Sequence, residues 1–253
     1  MEPCMHRLML TAAALATSAL PAAAELRGES FAYDVEGVPM EGYVARNTAI
    51  DSRGTVLIVH DWEGLTAYEE TRADMLAALG DAAVAVDVYG RDNRPTSFEE
   101  NRARSGELYA DRDLFRARLM GSLEAARALD GVGEGIAIMG YCFGGAAVLE
   151  AARAGMDVDA FVSFHGGLGT PEGQDYSATA APVTFFHGSA DPVSGMDDLA
   201  QVMTELVEAG VEHDAHIYGG ALHSFTVWGS DDYDLEADTA SWLSLKALLT
   251  ETF

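Results

Sequence analysis

Cysteine is nearly absent from this chain: among 253 residues only Cys4 and Cys142 occur, too few for a stabilising disulfide framework. Lysine is scarcer still, with Lys246 alone, and the 15 Lys and Arg residues face 41 Asp and Glu for a formal charge of −26. A field of that sign repels nucleic-acid phosphates and anionic membrane surfaces, so neither is expected as a partner. Beyond the N-terminus no apolar run reaches the length of a membrane span. Cysteine–histidine groupings with metal-ligand spacing are missing too. His213-Asp214-Ala215-His216 comes nearest and has no third ligand close in sequence, so no metal is expected. Repeats and low-complexity linkers are also lacking, which leaves a single domain, and 49% hydrophobic content suffices for its core.

Residues 1–24 have the three parts of a secretory signal. Arg7 gives the positive end, Leu8 to Leu20 the apolar centre, and Pro21-Ala22-Ala23-Ala24 the small-residue cleavage site. Export to the periplasm is therefore expected, with a mature domain over 25–253. Cys4 would leave with the leader, and Cys142 would remain as a lone thiol with no internal partner. Such a thiol in an oxidising compartment has to be buried, shielded or useful. The acidic residues are spread along the chain, which predicts a solvated acidic surface suited to high salt.

Phe31–Val35 and Met40–Val44 alternate as an antiparallel hairpin around Gly37-Val38-Pro39. Apolar strands then follow at 55–59, 83–88, 136–139, 160–164, 183–186 and 216–218. Helical patterns at 68–79, 112–129, 145–154, 197–209 and 234–249 separate them. This alternation predicts an α/β fold with a mostly parallel sheet covered on both faces. The longest loops are expected at 91–97 and 168–179, and neither could hold a cap domain.

What the chain does have is Gly140-Tyr141-Cys142-Phe143-Gly144, between the apolar strand at 136–139 and the helix-forming run from Gly145. Strand, Gly-x-Cys-x-Gly turn and helix form the context of a nucleophile elbow, with cysteine in the usual place of serine. The turn sets the thiol at a helix N-terminus, where negative charge is favoured. A buried cysteine serving as a small hydrophobe is the plainer reading of most cysteines. The partners downstream favour the elbow. Such a nucleophile needs a base and an acid, which follow it in the order acid, histidine. Asp191, in His187-Gly188-Ser189-Ala190-Asp191-Pro192, and His223, in Gly219-Gly220-Ala221-Leu222-His223, each follow a predicted strand. Alone, Asp-Pro opens turns and a strand-end histidine is structural. Their order and common sheet edge single them out. The loop Val59-His60-Asp61-Trp62 follows the first central strand, and the N–H groups of Trp62 and Phe143 are the expected oxyanion donors. Tyr141 and His165 are candidate substrate contacts. Arg112, Arg116 and Arg118 read as a solvated helix face.

Six segments carry a resemblance to the dienelactone hydrolase family of α/β-hydrolases. They are His60–Leu65, Ala85–Gly90, Gly140–Gly145, Ser163–Leu168, His187–Pro192 and His223-Ser224-Phe225. The resemblance implies a single-domain α/β-hydrolase fold, a Cys142–His223–Asp191 triad, acyl transfer to sulfur, and no metal or organic cofactor. Type members hold a glutamate in the first oxyanion loop that interacts with the resting cysteine; here Asp61 aligns with it and Glu63 lies nearby. They also clamp a substrate carboxylate with two arginines. Arg104 loosely matches one, and Val227 stands where the other falls. The expected function is hydrolysis of small uncharged esters or lactones through an acyl-cysteine. A true dienelactone hydrolase, a thioesterase, and a non-catalytic thiol-sensing or binding module are the alternatives.

Overall fold

The computed structural model describes residues 25–253; the expected leader at 1–24 lies outside them. The chain opens with a hairpin of β1 (Leu26–Val35) and β2 (Val38–Asn47). Its turn is the pair Glu36-Gly37, both at positive φ (53° and 81°), the two-residue geometry that matches strand twist. Pro39 therefore sits inside β2, opposite Asp34, rather than in the turn. Both strands outrun their expected lengths. Leu26–Ser30 is exposed at the sheet edge, so no apolar alternation marks it.

After the hairpin come β3 (Thr55–Val59), α1 (Ala67–Leu79), β4 (Ala82–Val86), α2 (Phe98–Ala110), α3 (Arg112–Arg127) and β5 (Ile136–Tyr141). They are followed by α4 (Phe143–Arg153), β6 (Ala160–Phe164), β7 (Val183–Gly188), α5 (Met196–Ala209), β8 (His213–Tyr218) and α6 (Leu235–Thr252). The strands form one sheet in the order β1-β2-β4-β3-β5-β6-β7-β8. Pairing is antiparallel from β1 to β4 and parallel from there to β8. Val56, Leu57, Ile58 and Val59 in β3 alternate between two cores, one under α1 and α6, the other under α2 to α5. Burial on both faces is why the central strands read as unbroken apolar runs. The chain is thus a single α/β domain with a mostly parallel sheet.

Two further features depart from the sequence reading. Helix α2 is unexpected, because its buried side chains are Asn101, Ser105 and Leu108, helically spaced but mostly polar. Ser97 caps it, accepting from Glu100 N–H at 3.2 Å, and Asp111 ends it while capping α3. Nor are Arg112 and Arg116 a solvated face. Both bind the buried Glu150 carboxylate of α4, at 3.1 and 2.7 Å, alongside Arg153 at 2.9 Å, while buried Arg118 donates to Val35 O.

A buried cation ties α1, α6 and the loop between β8 and α6 together. Arg72 is 1% exposed, with its guanidinium carbon 4.3 Å from the Trp228 ring centre and 5.2 Å from those of Tyr68 and Trp242. Its Nη2 donates to Asp238 Oδ1 at 2.6 Å and to Thr226 O at 2.9 Å. Removing one partner from a buried pair strands the other charge. Arg72→Met should therefore lose about 3–5 kcal/mol in urea denaturation. Arg72→Met combined with Asp238→Leu should lose less than the single change; an equal or greater loss would contradict the pairing.

Candidate active site

The parallel strands end together at one edge, and their loops carry the chemistry. Cys142 occupies the corner between β5 and α4 at φ 54°, a conformation unfavourable for any residue bearing a Cβ. The corner is held because its amide N–H lies between two acceptors, Phe164 O at 3.0 Å and His165 Nδ1 at 3.1 Å. Gly144 makes the turn possible: a Cβ there would be driven into the carbonyl oxygen of Val59.

Cys142, His223 and Asp191 form a connected chain. His223 Nε2 lies 3.1 Å from Cys142 Sγ, and its Nδ1 lies 2.8 Å from Asp191 Oδ2. The other carboxylate oxygen, Asp191 Oδ1, accepts from Val193 N–H at 2.7 Å and Ser194 N–H at 3.1 Å. Burial opposes charge on Asp191, but His223 and these two amides outweigh it and hold the carboxyl below its ordinary range. Burial likewise opposes an imidazolium at His223. The hydrogen bonds to Asp191 and Cys142 and their charges prevail, lifting the ring to about 10. The amides of Trp62 and Phe143 have no hydrogen-bond acceptor among the described residues.

Other expected contacts fall elsewhere. Tyr141 and His165 are fully buried and line no substrate space. Tyr141 packs edge-on against Tyr68 at 5.1 Å beneath the elbow. His165 accepts from Cys142 N–H through Nδ1, so its proton sits on Nε2 and is donated to Thr226 Oγ1 at 2.8 Å. Burial and the neighbouring His223 keep it neutral, well below its usual range. Arg104 is partly exposed on α2 and pairs with Glu107 at 3.1 Å. Neither Asp61 nor Glu63 hydrogen-bonds Cys142 Sγ, whose partner among the described residues is His223. Asp61 turns back instead, its Oδ1 accepting from Glu63 N–H at 2.7 Å. Among the described residues, no group of three or more His, Cys, Asp or Glu could hold a metal.

Two residues around the loop from His60 to Thr66, His60 itself and Glu69 in the first turn of α1, have roles the sequence did not disclose. His60 accepts from Val88 N–H at Nε2, 3.2 Å, leaving Nδ1–H to donate to Asp61 O at 2.6 Å. Glu69 is fully buried and accepts from Asp61 N–H, Thr66 N–H and the Thr66 hydroxyl. Burial and the adjacent Asp61 raise its carboxyl to about 8; Asp61, raised chiefly by burial, reaches about 6. The Thr-x-x-Glu spacing that makes this helix cap was readable, but its burial was not.

Aromatic side chains pack around the two residues whose amides are free, Phe143 and Trp62. Phe143 packs on His60, Tyr89, Tyr109 and Phe115, and Phe98 of α2 meets Trp62 edge-on at 5.0 Å. Val193 and Leu222, chain neighbours of Asp191 and His223, are exposed.

The raised His223 and lowered Asp191 fix a sign. Protonated His223 contributes stability that is complete below the free value of 6.5 and vanishes as pH rises through about 10. The ionised Asp191 contribution is lost only as pH falls below the ordinary carboxyl range. The Tm difference between wild type and Asp191→Asn should thus be greatest near pH 6 and shrink towards pH 10, as followed by thermal denaturation; a constant gap would contradict the coupling.

Residues 40–253 match the model of the dienelactone hydrolase family. A Bradyrhizobium protein described as a probable 2-oxo-3-(5-oxofuran-2-ylidene)propanoate lactonase is 25% identical over 215 residues, covering 79% of this chain and 84% of its own. The crystal structure of a dienelactone hydrolase-like promiscuous phosphotriesterase from metagenomic libraries is 31% identical, with a TM-score of 0.84 over 91% of this chain and 100% of that one. Dienelactone hydrolase from Anabaena variabilis, 19% identical, shares the fold, with a TM-score of 0.68 over 90% of this chain and 99% of its own. The chain is a hydrolase of the α/β-hydrolase fold and belongs to the dienelactone hydrolase family.

Proposed function

We propose that this hydrolase cleaves small uncharged carboxylic esters or lactones through an acyl-cysteine intermediate. The observation that carries the reading is the hydrogen-bonded chain Asp191–His223–Cys142, which ends on an elbow at φ 54°. With its proton on His223, the Cys142 sulfur attacks the substrate carbonyl carbon as thiolate, and the carbonyl π pair moves onto oxygen. The free N–H groups of Trp62 and Phe143 receive that oxyanion. The tetrahedral centre collapses, the C–O bond breaks, and His223 Nε2 gives its proton to the departing alkoxide. A water then enters; His223 takes its proton while the oxygen attacks the thioester. Collapse of this second centre releases the carboxylic acid and returns the thiolate. Asp191 holds Nδ1–H throughout, which keeps Nε2 turned to the sulfur.

The surroundings favour an uncharged substrate. Phe98, Trp62, Tyr109, Val193 and Leu222 offer apolar surface, Val227 supplies no cation, and the formal charge of −26 repels anions. The similarity to a lactonase supports a cyclic ester among the substrates.

Rapid-mix hydrolysis of p-nitrophenyl acetate with mass spectrometry of the quenched enzyme tests the scheme. A burst and an acetyl group on Cys142 are expected, both missing from Cys142→Ala. His223→Ala should cut kcat by roughly a thousandfold or more while leaving the far-UV spectrum intact. Turnover by Cys142→Ala at the wild-type rate would end the acyl-cysteine scheme. Failure of the wild type to form any adduct would point instead to a binding or thiol-sensing protein.

A further inference from the structure

The Trp62 amide can serve an oxyanion only if the loop between β3 and α1 holds it still. That loop is tied down around one residue, Asp61. Its carbonyl oxygen accepts from His60 Nδ1–H at 2.6 Å and Gly64 N–H at 3.3 Å. Carbonyl and amide of a trans peptide point opposite ways in one plane, so fixing Asp61 O fixes the direction of Trp62 N–H. The preceding plane is fixed from its other side, where Asp61 N–H donates to Glu69 Oε1 at 3.3 Å. Glu69 Oε2 also takes Thr66 N–H and the Thr66 hydroxyl, each at 2.9 Å. One carboxyl group therefore binds both ends of the loop.

A helix-capping glutamate ordinarily lies at the surface and serves only its own helix. Glu69 does more. It is 0% exposed, it reaches eight residues back to Asp61, and it is buried beside a second carboxyl, an arrangement that costs stability. Thr66, whose hydroxyl accepts from Tyr68 N–H at 3.2 Å, already caps the helix without that cost. What the buried carboxyl group adds is the tie to Asp61.

We propose that Glu69 is a positioning residue for acyl transfer: by binding Asp61 N–H and both Thr66 donors, it sets the direction of Trp62 N–H. This rests on the ester-hydrolase reading above. Glu69 touches no reacting atom and acts only through the loop.

The experiment compares two reactions of the same sulfur. Acylation by p-nitrophenyl acetate builds an oxyanion; alkylation by iodoacetamide builds none. In Glu69→Ala, acylation should slow on the order of a hundredfold, as for the loss of an oxyanion donor, with the loss in kcat rather than KM. Alkylation of Cys142 should keep its wild-type rate. Glu69→Gln keeps an acceptor for one end of the loop and should recover part of the acylation rate. Wild-type acylation in Glu69→Ala, or equal losses in both reactions, would overturn the proposal. Should Glu69→Ala not fold, the acylation-to-alkylation ratio of Glu69→Gln decides: a reduced ratio supports positioning and an unchanged one overturns it. A wild-type enzyme that forms no acetyl adduct would defeat the hydrolase reading itself, a result distinct from either.

Discussion

The molecule depends on one amide. Cys142 N–H, shared by Phe164 O and His165 Nδ1, keeps a residue with a side chain in backbone space that residues normally avoid. Strain of this kind persists only where the surroundings over-determine it, and here they do. The sheet places Phe164 beside Tyr141 by parallel pairing, α4 begins immediately after the cysteine, and Gly144 lets the helix press against the end of β3. His165 itself stands at φ 39°, so one unfavourable corner supports another.

The support continues inward through polar groups. From His165 the hydrogen bonds pass to Thr226, then to Tyr68 and Arg72, and end on Asp238 of α6. Trp228 and Tyr233 also reach Asp238, each at 3.2 Å. The loop that carries His223 is thus fastened to the same framework as the sulfur it faces. Its further ties include Ala190 N–H to Ala221 O, Gly220 N–H to Ser189 Oγ and Asp234 N–H to Phe225 O. A buried hydrogen-bonded network of this kind favours one arrangement, because alternatives leave more of its polar groups unpaired.

The sequence disclosed those features that rest on chain order and on burial of both sheet faces. Strands β3 and β6 begin and end as expected, since their apolar runs coincide with the buried segment. At β8 only the end was legible: it borders solvent on one side and starts with His213 and Asp214, which carry no apolar signal. The meeting of Cys142, Asp191 and His223 was legible because strand-end loops of a parallel sheet converge. Hidden were the properties that depend on what a side chain faces. His165 at a strand end looks the same whether it lines a pocket or braces a backbone amide. Arg112 and Arg116 look solvated until Glu150, far along the chain, is found buried beside them. Glu69 could be read as a cap, but not as a buried one.

Helix α2 stands apart from this framework. It contributes only Leu108 to the apolar core, and it meets the site through Phe98 against Trp62 and Tyr109 against Phe143. The network that fixes the cysteine and the histidine loop runs beneath the opposite side, through α1 and α6. On the proposed ester-hydrolase reading, the groups that react and the wall formed by α2 are therefore held by different parts of the fold. Sequence drift along the exposed side of α2 can reshape the wall a substrate meets while the reacting groups keep their registry, so the fold can acquire a new substrate without first relearning how to break a bond.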